Sequence, residues 1–211
     1  MKKKANKELA LFYGILAGDG CISRSGKKYY ISITCHIRDD RKFFSNVVIP
    51  ITEKLRGKKV KPKLREKYGK IELNFTDKRL FGKIKAIGFP VGKKGKRIKI
   101  PKFFPKYLWK YVINGLFSTD GCITFANNNG TLYPRIEIQS TAKKLLSQVS
   151  KYLIENGLWG HVYKINAKPG VIYRLEFPGK NNLNKFRRVI GFSNPKHEEK
   201  FQKYVEIKKI K

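Results

Sequence analysis

The 211-residue sequence predicts an α+β fold made of two pseudo-symmetric αββαββα repeats. Three observations carry that reading. An apolar, helix-like segment ending in Asp-Gly-Cys-Ile occurs twice, as Gly14 to Ser23 and Gly115 to Thr124, with identical internal spacing. A closing segment also recurs, Ala86-Ile87-Gly88-Phe89 and Val189-Ile190-Gly191-Phe192. Between these landmarks, stretches such as Ile31-Ser32-Ile33-Thr34-Cys35-His36 alternate apolar and polar residues, the period of a sheet buried on one face.

In the first repeat, the helix ending at Asp19 is followed by strands at Cys21 to Arg24 and Tyr29 to Ile37, joined through Ser25-Gly26. Asp39-Asp40 reads as the N-terminal cap of a helix carrying Phe43, Phe44, Val47 and Val48. Strands at Lys58 to Leu64 and Lys70 to Phe75 flank a Tyr68-Gly69 turn, and Thr76-Asp77 caps a helix from Leu80 to Ile87 that stops at Gly88. The second repeat follows the same order. Its strands are Cys122 to Ala126 and Arg135 to Ser140, around the loop Asn127-Asn128-Asn129-Gly130. A helix from about Ala142 to Asn156 stops at Gly157. Strands at about His161 to Ile165 and Val171 to Phe177 then flank the turn Lys168-Pro169-Gly170, before the closing helix. The expected division is residues 1–91 for the first repeat, 92–104 for a basic linker, and 105–211 for the second repeat.

Composition narrows the function classes. A 41% hydrophobic fraction supports a packed interior, so the net charge of +33 does not imply disorder. Up to Pro105 there are 29 Lys and Arg against 8 Asp and Glu, and beyond it 19 against 7, so no single tail holds the excess. Charge spread this way points to a long polyanion touched by both halves, most simply nucleic acid. Heat adaptation would enrich Glu along with Lys. Three cysteines, Cys21, Cys35 and Cys122, with no Cys-x-x-Cys pair suggest neither a zinc site nor a disulfide framework. No signal peptide and no bilayer-length apolar run is evident, so an intracellular protein is expected.

The segments Phe12-Tyr13-Gly14-Ile15-Leu16-Ala17-Gly18-Asp19-Gly20 and Ile113-Asn114-Gly115-Leu116-Phe117-Ser118-Thr119-Asp120-Gly121 resemble the nine-residue motif of the LAGLIDADG homing endonucleases. The resemblance covers nearly the whole chain. It implies two saddle-shaped antiparallel sheets packed through the two motif helices. Small residues allow two helices to approach closely. Ala10, Gly14, Ala17 and Gly18 share one face of the first motif helix, as Gly115, Ser118 and Thr119 do in the second. Close approach would set Asp19 and Asp120 side by side. Two adjacent carboxylates need cations to stay ionised, and oxygen ligands suit Mg2+, with Mn2+ or Ca2+ able to substitute for binding. Such a metal can activate water and clamp a phosphodiester for in-line displacement.

The resemblance further implies backbone carbonyls of Gly18 and Thr119 as metal ligands and a basic residue after each closing helix. Aligning the two Ile-Gly-Phe segments puts Lys93 opposite Lys196, with Lys94 or Lys96 as substitutes in this lysine-rich run. It also implies a polar, water-positioning residue at the end of each second strand, here His36 and either Thr141 or Gln139. Alternation turns Ser32, Thr34, His36, Lys70, Glu72 and Asn74 outward in the first repeat, beside a stripe of Lys59, Lys61 and Lys63. In the second it turns out Arg135, Glu137, Gln139, His161, Tyr163, Arg174 and Glu176. Strand ribbons fit the major groove, where such side chains read base edges. Ser23, Arg24, Thr124, Asn127 and Asn128, on the first hairpin of each repeat, complete the expected DNA-binding set.

The resemblance therefore implies a monomeric DNA endonuclease cutting both strands of a long, asymmetric duplex target. No protein-splicing segment flanks the repeats, so an intron-encoded, free-standing enzyme is expected rather than an intein. Two rivals share the fold: an RNA maturase acting on its own intron, and an inactive DNA-binding regulator. Retention of both acids argues against the second.

Overall fold

The computed structural model describes residues 5–129, 131–167 and 170–209. The element order is α1 (Lys7–Asp19), β1 (Gly20–Ser25), β2 (Lys28–His36), α2 (Arg41–Phe43), a π-helical turn (Phe44–Val48), α3 (Ile49–Arg56), β3 (Lys63–Arg65), β4 (Lys70–Thr76) and α4 (Lys78–Ile87). The second half runs α5 (Trp109–Asp120), β5 (Gly121–Asn128), β6 (Thr131–Ser140), α6 (Lys143–Glu155), β7 (His161–Ala167), β8 (Gly170–Pro178), α7 (Lys180–Val189) and α8 (Pro195–Lys209). Each half makes a four-stranded antiparallel sheet, in the orders β1-β2-β4-β3 and β5-β6-β8-β7. The motif helices α1 and α5 pack against each other between them.

Local chemistry accounts for the helix ends. Asn6 caps α1, its Oδ1 accepting the Leu9 N–H at 2.9 Å, and Asp77 caps α4 through Leu80 N–H at 2.8 Å. Gly88 closes α4 at φ 107°, a left-handed conformation that favours glycine. Pro50 lacks an N–H to donate within the first turn of α3, and the π-turn immediately precedes it.

Matched residues build the core of each half. Ile22, Ile31, Ile33 and Leu73 line the inner face of the first sheet, and Ile123, Ile136, Ile138 and Leu175 line the second. Each such side chain, fully buried, contributes about 1.5–3 kcal/mol. The α1–α5 contact needs its glycines. A Cβ on Gly14 would strike the Val112 carbonyl oxygen, and one on Gly115 would strike the Leu11 carbonyl oxygen. Glycine inside a helix costs about 1 kcal/mol relative to alanine, and this backbone-to-backbone approach offsets it.

Several sequence expectations need correction. Asp40 does not cap α2 with its side chain; its carboxylate turns into the protein instead. The strand expected at Lys58 to Leu64 shrinks to Lys63–Arg65. Glu53 takes the Val60 N–H at 3.0 Å and pairs with Lys59 at 3.0 Å, and Pro62 has no N–H for a ladder. The segment before α5 packs into the core. Ile98, Ile100 and Phe104 are buried, the Tyr13 hydroxyl donates to the Lys99 carbonyl at 2.8 Å, and Gln148 bonds both backbone groups of Ile100 at 2.9 Å. The loop at Asn127 is shorter than expected, because β5 continues to Asn128. Gly130 and the Lys168-Pro169 pair of the second turn lie outside the described residues. Helix α8 extends the second half beyond the αββαββα repeat.

Candidate acidic centre and nucleic-acid interface

Asp19 and Asp120 are the last residues of α1 and α5. They adjoin, since a Cβ on Gly18 would sit 3.2 Å from Asp120 Cγ. Burial is the main force on both carboxyls. It raises Asp19, opposed by a hydrogen bond from the Cys35 thiol and reinforced by the charge of Asp40. Asp120 is pushed up to about 7 by burial and then by Asp19. The C-terminal end of a helix is also the unfavourable end for a carboxylate.

Two ammonium groups oppose that strain. Lys94 Nζ donates to the carbonyls of Leu16 at 2.9 Å and Gly20 at 2.8 Å, and closely to that of Gly18. Burial lowers its affinity for the proton, while Asp120 and Asp19 raise it. Lys196 Nζ lies 2.8 Å from Asp40 Oδ1 and acts electrostatically on both motif aspartates. The expectation of Lys93 is corrected here. Lys93 is exposed and only its carbonyl is engaged, by Arg97, so the neighbouring Lys94 reaches the acids. The Gly18 carbonyl, expected as a ligand, is occupied by Lys94, and the Thr119 hydroxyl donates back to Leu116 O at 2.9 Å.

Two cavities of about 330 Å³ each open beside the acids. One is lined by Asp19, Thr34, Cys35, His36, Asp40 and neighbours, the other by Asp120, Cys122, Glu137 and Gln139. Register makes Thr34 and Gln139 equivalent, because Gly20 faces Ile33 and Gly121 faces Ile138. His36 therefore corresponds to Thr141 and stands one outward position further from the motif.

The outward faces hold most of the expected DNA-binding side chains. Ser23, Ser32, Thr34, His36, Lys63, Lys70, Glu72 and Asn74 share one face of the first sheet, joined by Arg65, which the sequence reading omitted. Ser32 donates to Asn74 at 3.1 Å, and Arg65 pairs with Glu72 at 3.3 Å. Arg24 falls on the opposite face, its guanidinium over the Tyr29 ring. Lys59 and Lys61 precede β3 and lie off the sheet.

The second face is more densely cross-linked. Arg174 approaches Glu137 at 3.9 Å, Arg135 approaches Glu176 at 3.8 Å, and Thr124 donates to Glu137 at 2.8 Å. With its amide oxygen turned to the guanidinium, Gln139 accepts from Arg174 at 3.3 and 3.2 Å. His161 and Tyr163 extend this face along the edge strand, next to exposed Trp159. Asn127 is exposed at the end of β5 but falls on the opposite face, in line with Ile123 and Phe125, and the Asn128 side chain lies outside the described residues.

Three groups at the centre were missed by sequence reasoning: Asp40, Asn194 and Cys35. Asp40 and Asn194 are 5% and 0% exposed, so neither belongs to a solvated turn. A buried polar side chain cannot be told from a capping residue without the fold around it.

Residues 110–191 match the family model described as a LAGLIDADG-like domain. Among curated proteins, the chain is 25% identical over 211 aligned residues to the tRNA-splicing ligase RtcB of Pyrococcus furiosus, covering 91% of this chain and 22% of that one. It is 29% identical over 121 residues to a probable translation initiation factor IF-2 of Thermococcus kodakarensis, covering 56% of this chain and 10% of that one. The chain thus spans about a fifth or less of these relatives. Among solved structures, mesophilic variants of the homing endonuclease I-DmoI align with a TM-score of 0.64 at 20% identity, covering 87% of this chain and 95% of that one. I-DmoI in complex with DNA and Mn aligns at 0.63 and 20% identity over 88% and 96% of the two chains. The LAGLIDADG homing endonuclease I-LtrWI bound to target DNA aligns at 0.62 and 10% identity over 96% and 90%.

Proposed function

From a chain that carries a LAGLIDADG-like domain and has the two-repeat fold of the LAGLIDADG homing endonucleases, we propose a site-specific endonuclease that cuts both strands of duplex DNA with a divalent metal. One observation carries the reading: Asp19 and Asp120 meet at the ends of two tightly packed helices, flanked by Lys94 and Lys196. The strongly basic composition supports a polyanion as partner.

The donor set fits a hard cation. Two carboxylates held above their ordinary pKa by burial, then by the charge of Asp40 on Asp19 and of Asp19 on Asp120, gain from a shared positive charge. Among the described residues no cluster of three His, Cys, Asp or Glu side chains makes a closed cage, so water and phosphate would complete the shell, as Mg2+ prefers. When bound, the metal supplies Lewis-acid stabilisation of the phosphodiester and a more acidic water. The protein's own residues do the rest. Asp19 and Asp120 fix the centre and shed any proton as it fills. Lys94 and Lys196 supply charge beside the developing oxyanion. Gln139 and Thr34, in the flanking cavities, are placed to orient water. The outward strands grip the duplex, with lysines on phosphate and the Arg, Gln and Glu side chains on base edges.

Proteins named for RNA ligation and for translation initiation share this stretch, which supports a portable module over a component of either activity. In both, the matched stretch is a minor part of a longer chain, so an insert within a host protein stands beside an intron as its coding context. Incubating the purified protein and Mg2+ with duplex spanning the host gene without the insert tests the proposal. A mapped double-strand break at the insertion point is expected. Tight binding with no metal-dependent break would favour a DNA-binding regulator, and insert-dependent RNA splicing without cleavage would favour a maturase.

A further inference from the structure

We infer that Asp40, from the first repeat, is the positioning residue for Lys196 of the second, so that one of the two lysines at the centre is set from across the molecule. The inference rests on the endonuclease reading above. Asp40 is 5% exposed and every contact it makes is specific. Oδ1 accepts from Lys196 Nζ at 2.8 Å and from Asn194 Nδ2 at 2.7 Å, while Oδ2 accepts the His36 N–H at 3.2 Å. Asn194, itself fully buried, also donates to the Ser118 carbonyl near the end of α5 at 2.8 Å and accepts the Lys196 N–H at 3.2 Å. Lys196 is thus held at its backbone by Asn194 and at its ammonium by Asp40, yet its side chain is still 27% exposed. A long, flexible side chain with a strongly hydrated head takes one orientation only when held in this way.

The arrangement is not mirrored. Asp40 immediately precedes α2 as Ala142 precedes α6, and the second repeat thus has a buried apolar residue where the first has the acid. Lys94 is held instead by the carbonyls of its own repeat's helix end. The two lysines therefore depend on different groups, and loss of Asp40 should touch one of them. A buried carboxylate is poor evidence of stabilisation, because desolvation consumes much of what pairing returns. Positioning is the better explanation for an acid that lines the same cavity as Asp19.

The experiment is strand-resolved, single-turnover cleavage of a mapped duplex target by wild type, Asp40→Asn, Lys196→Met and the double variant. Asp40→Asn is expected to slow one defined strand at least about tenfold, leave the other within about twofold, and accumulate a nicked product with DNA affinity unchanged. Added to Lys196→Met it should cost nothing further, because residues acting through one group are not additive. Equal slowing of both strands, or full additivity with Lys196→Met, would overturn the inference and leave Asp40 a structural residue. If Asp40→Asn melts below the assay temperature, Asp40→Glu takes its place, keeping the charge while moving it by one methylene; the same outcomes decide. A wild type that cuts neither strand would overturn the endonuclease reading and this inference with it. A cutting wild type with additive variants would overturn this inference alone.

Discussion

Lys93 and Lys94 are neighbours in a lysine-rich run, yet only Lys94 is drawn to the helix end, where three carbonyls receive it. Lys94→Met should lower the cleavage rate about 10²–10³-fold while leaving DNA binding close to wild type, as loss of one charge-stabilising group does. Lys93→Ala should cleave normally, and single-turnover rates with a parallel binding titration check both. The acids carry a second prediction. The folded-state pKa of Asp120 is raised from 3.8 to about 7, so its stabilising contribution is complete below the unfolded value and disappears as pH rises through about 7. In metal-free protein, Asp120→Asn should therefore gain stability relative to wild type progressively between about pH 4 and 7. Thermal melts of the two proteins across that range measure the difference, and a constant offset would contradict it. The aspartate pair was legible from sequence because the motif is duplicated. Asp40 was not, since an Asp-Asp pair before a helix has the composition of a cap, and only the distant Asn194 and Lys196 reveal its other use.

At the scale of elements, glycines at the α1–α5 contact set how near the acids come. Gly14→Ala would force a Cβ against the Val112 carbonyl, a backbone atom that cannot rotate away. The expected cost is about 1–3 kcal/mol of stability, seen as a lower melting temperature. Gly82→Ala on the exposed face of α4, where an added Cβ meets nothing within 4 Å, should be neutral or mildly stabilising. The strand order and the helix ends were readable because alternation and capping are local signals. The shortened β3 was not, because Glu53 draws Val60 away from the sheet from seven residues back. Helix α8 did leave a signal. Asn194-Pro195 is an N-terminal cap followed by proline, and His197, Phe201 and Tyr204 repeat at helical spacing. His197 Nε2 donates to the Phe117 carbonyl at 3.1 Å, and burial pushes its pKa down to about 3, so it seats α8 on α5 as a neutral ring.

At the scale of the molecule, charge and asymmetry make separate predictions. Each neutralised phosphate contributes about −0.9 to the slope of log affinity against log salt, so a slope steeper than about −5 is expected. No helix among the described residues is long and apolar enough to cross a membrane. The two reading faces differ. The second presents Arg135, Glu137, Gln139 and Arg174 already held by one another, whereas the first presents hydroxyls and lysines around a single Arg65–Glu72 pair. Side chains fixed before binding discriminate better than mobile ammonium groups. The half-site under the second repeat should therefore tolerate fewer substitutions when each half is randomised and selected for cleavage, and a palindromic consensus would contradict this. The central claim is the shared acidic centre, and cleavage by Asp19→Asn and Asp120→Asn, with binding measured in parallel, tests it most directly. Both variants should bind the target as well as wild type or better and fail to make a double-strand break; either one cutting both strands at near wild-type rate would contradict the account.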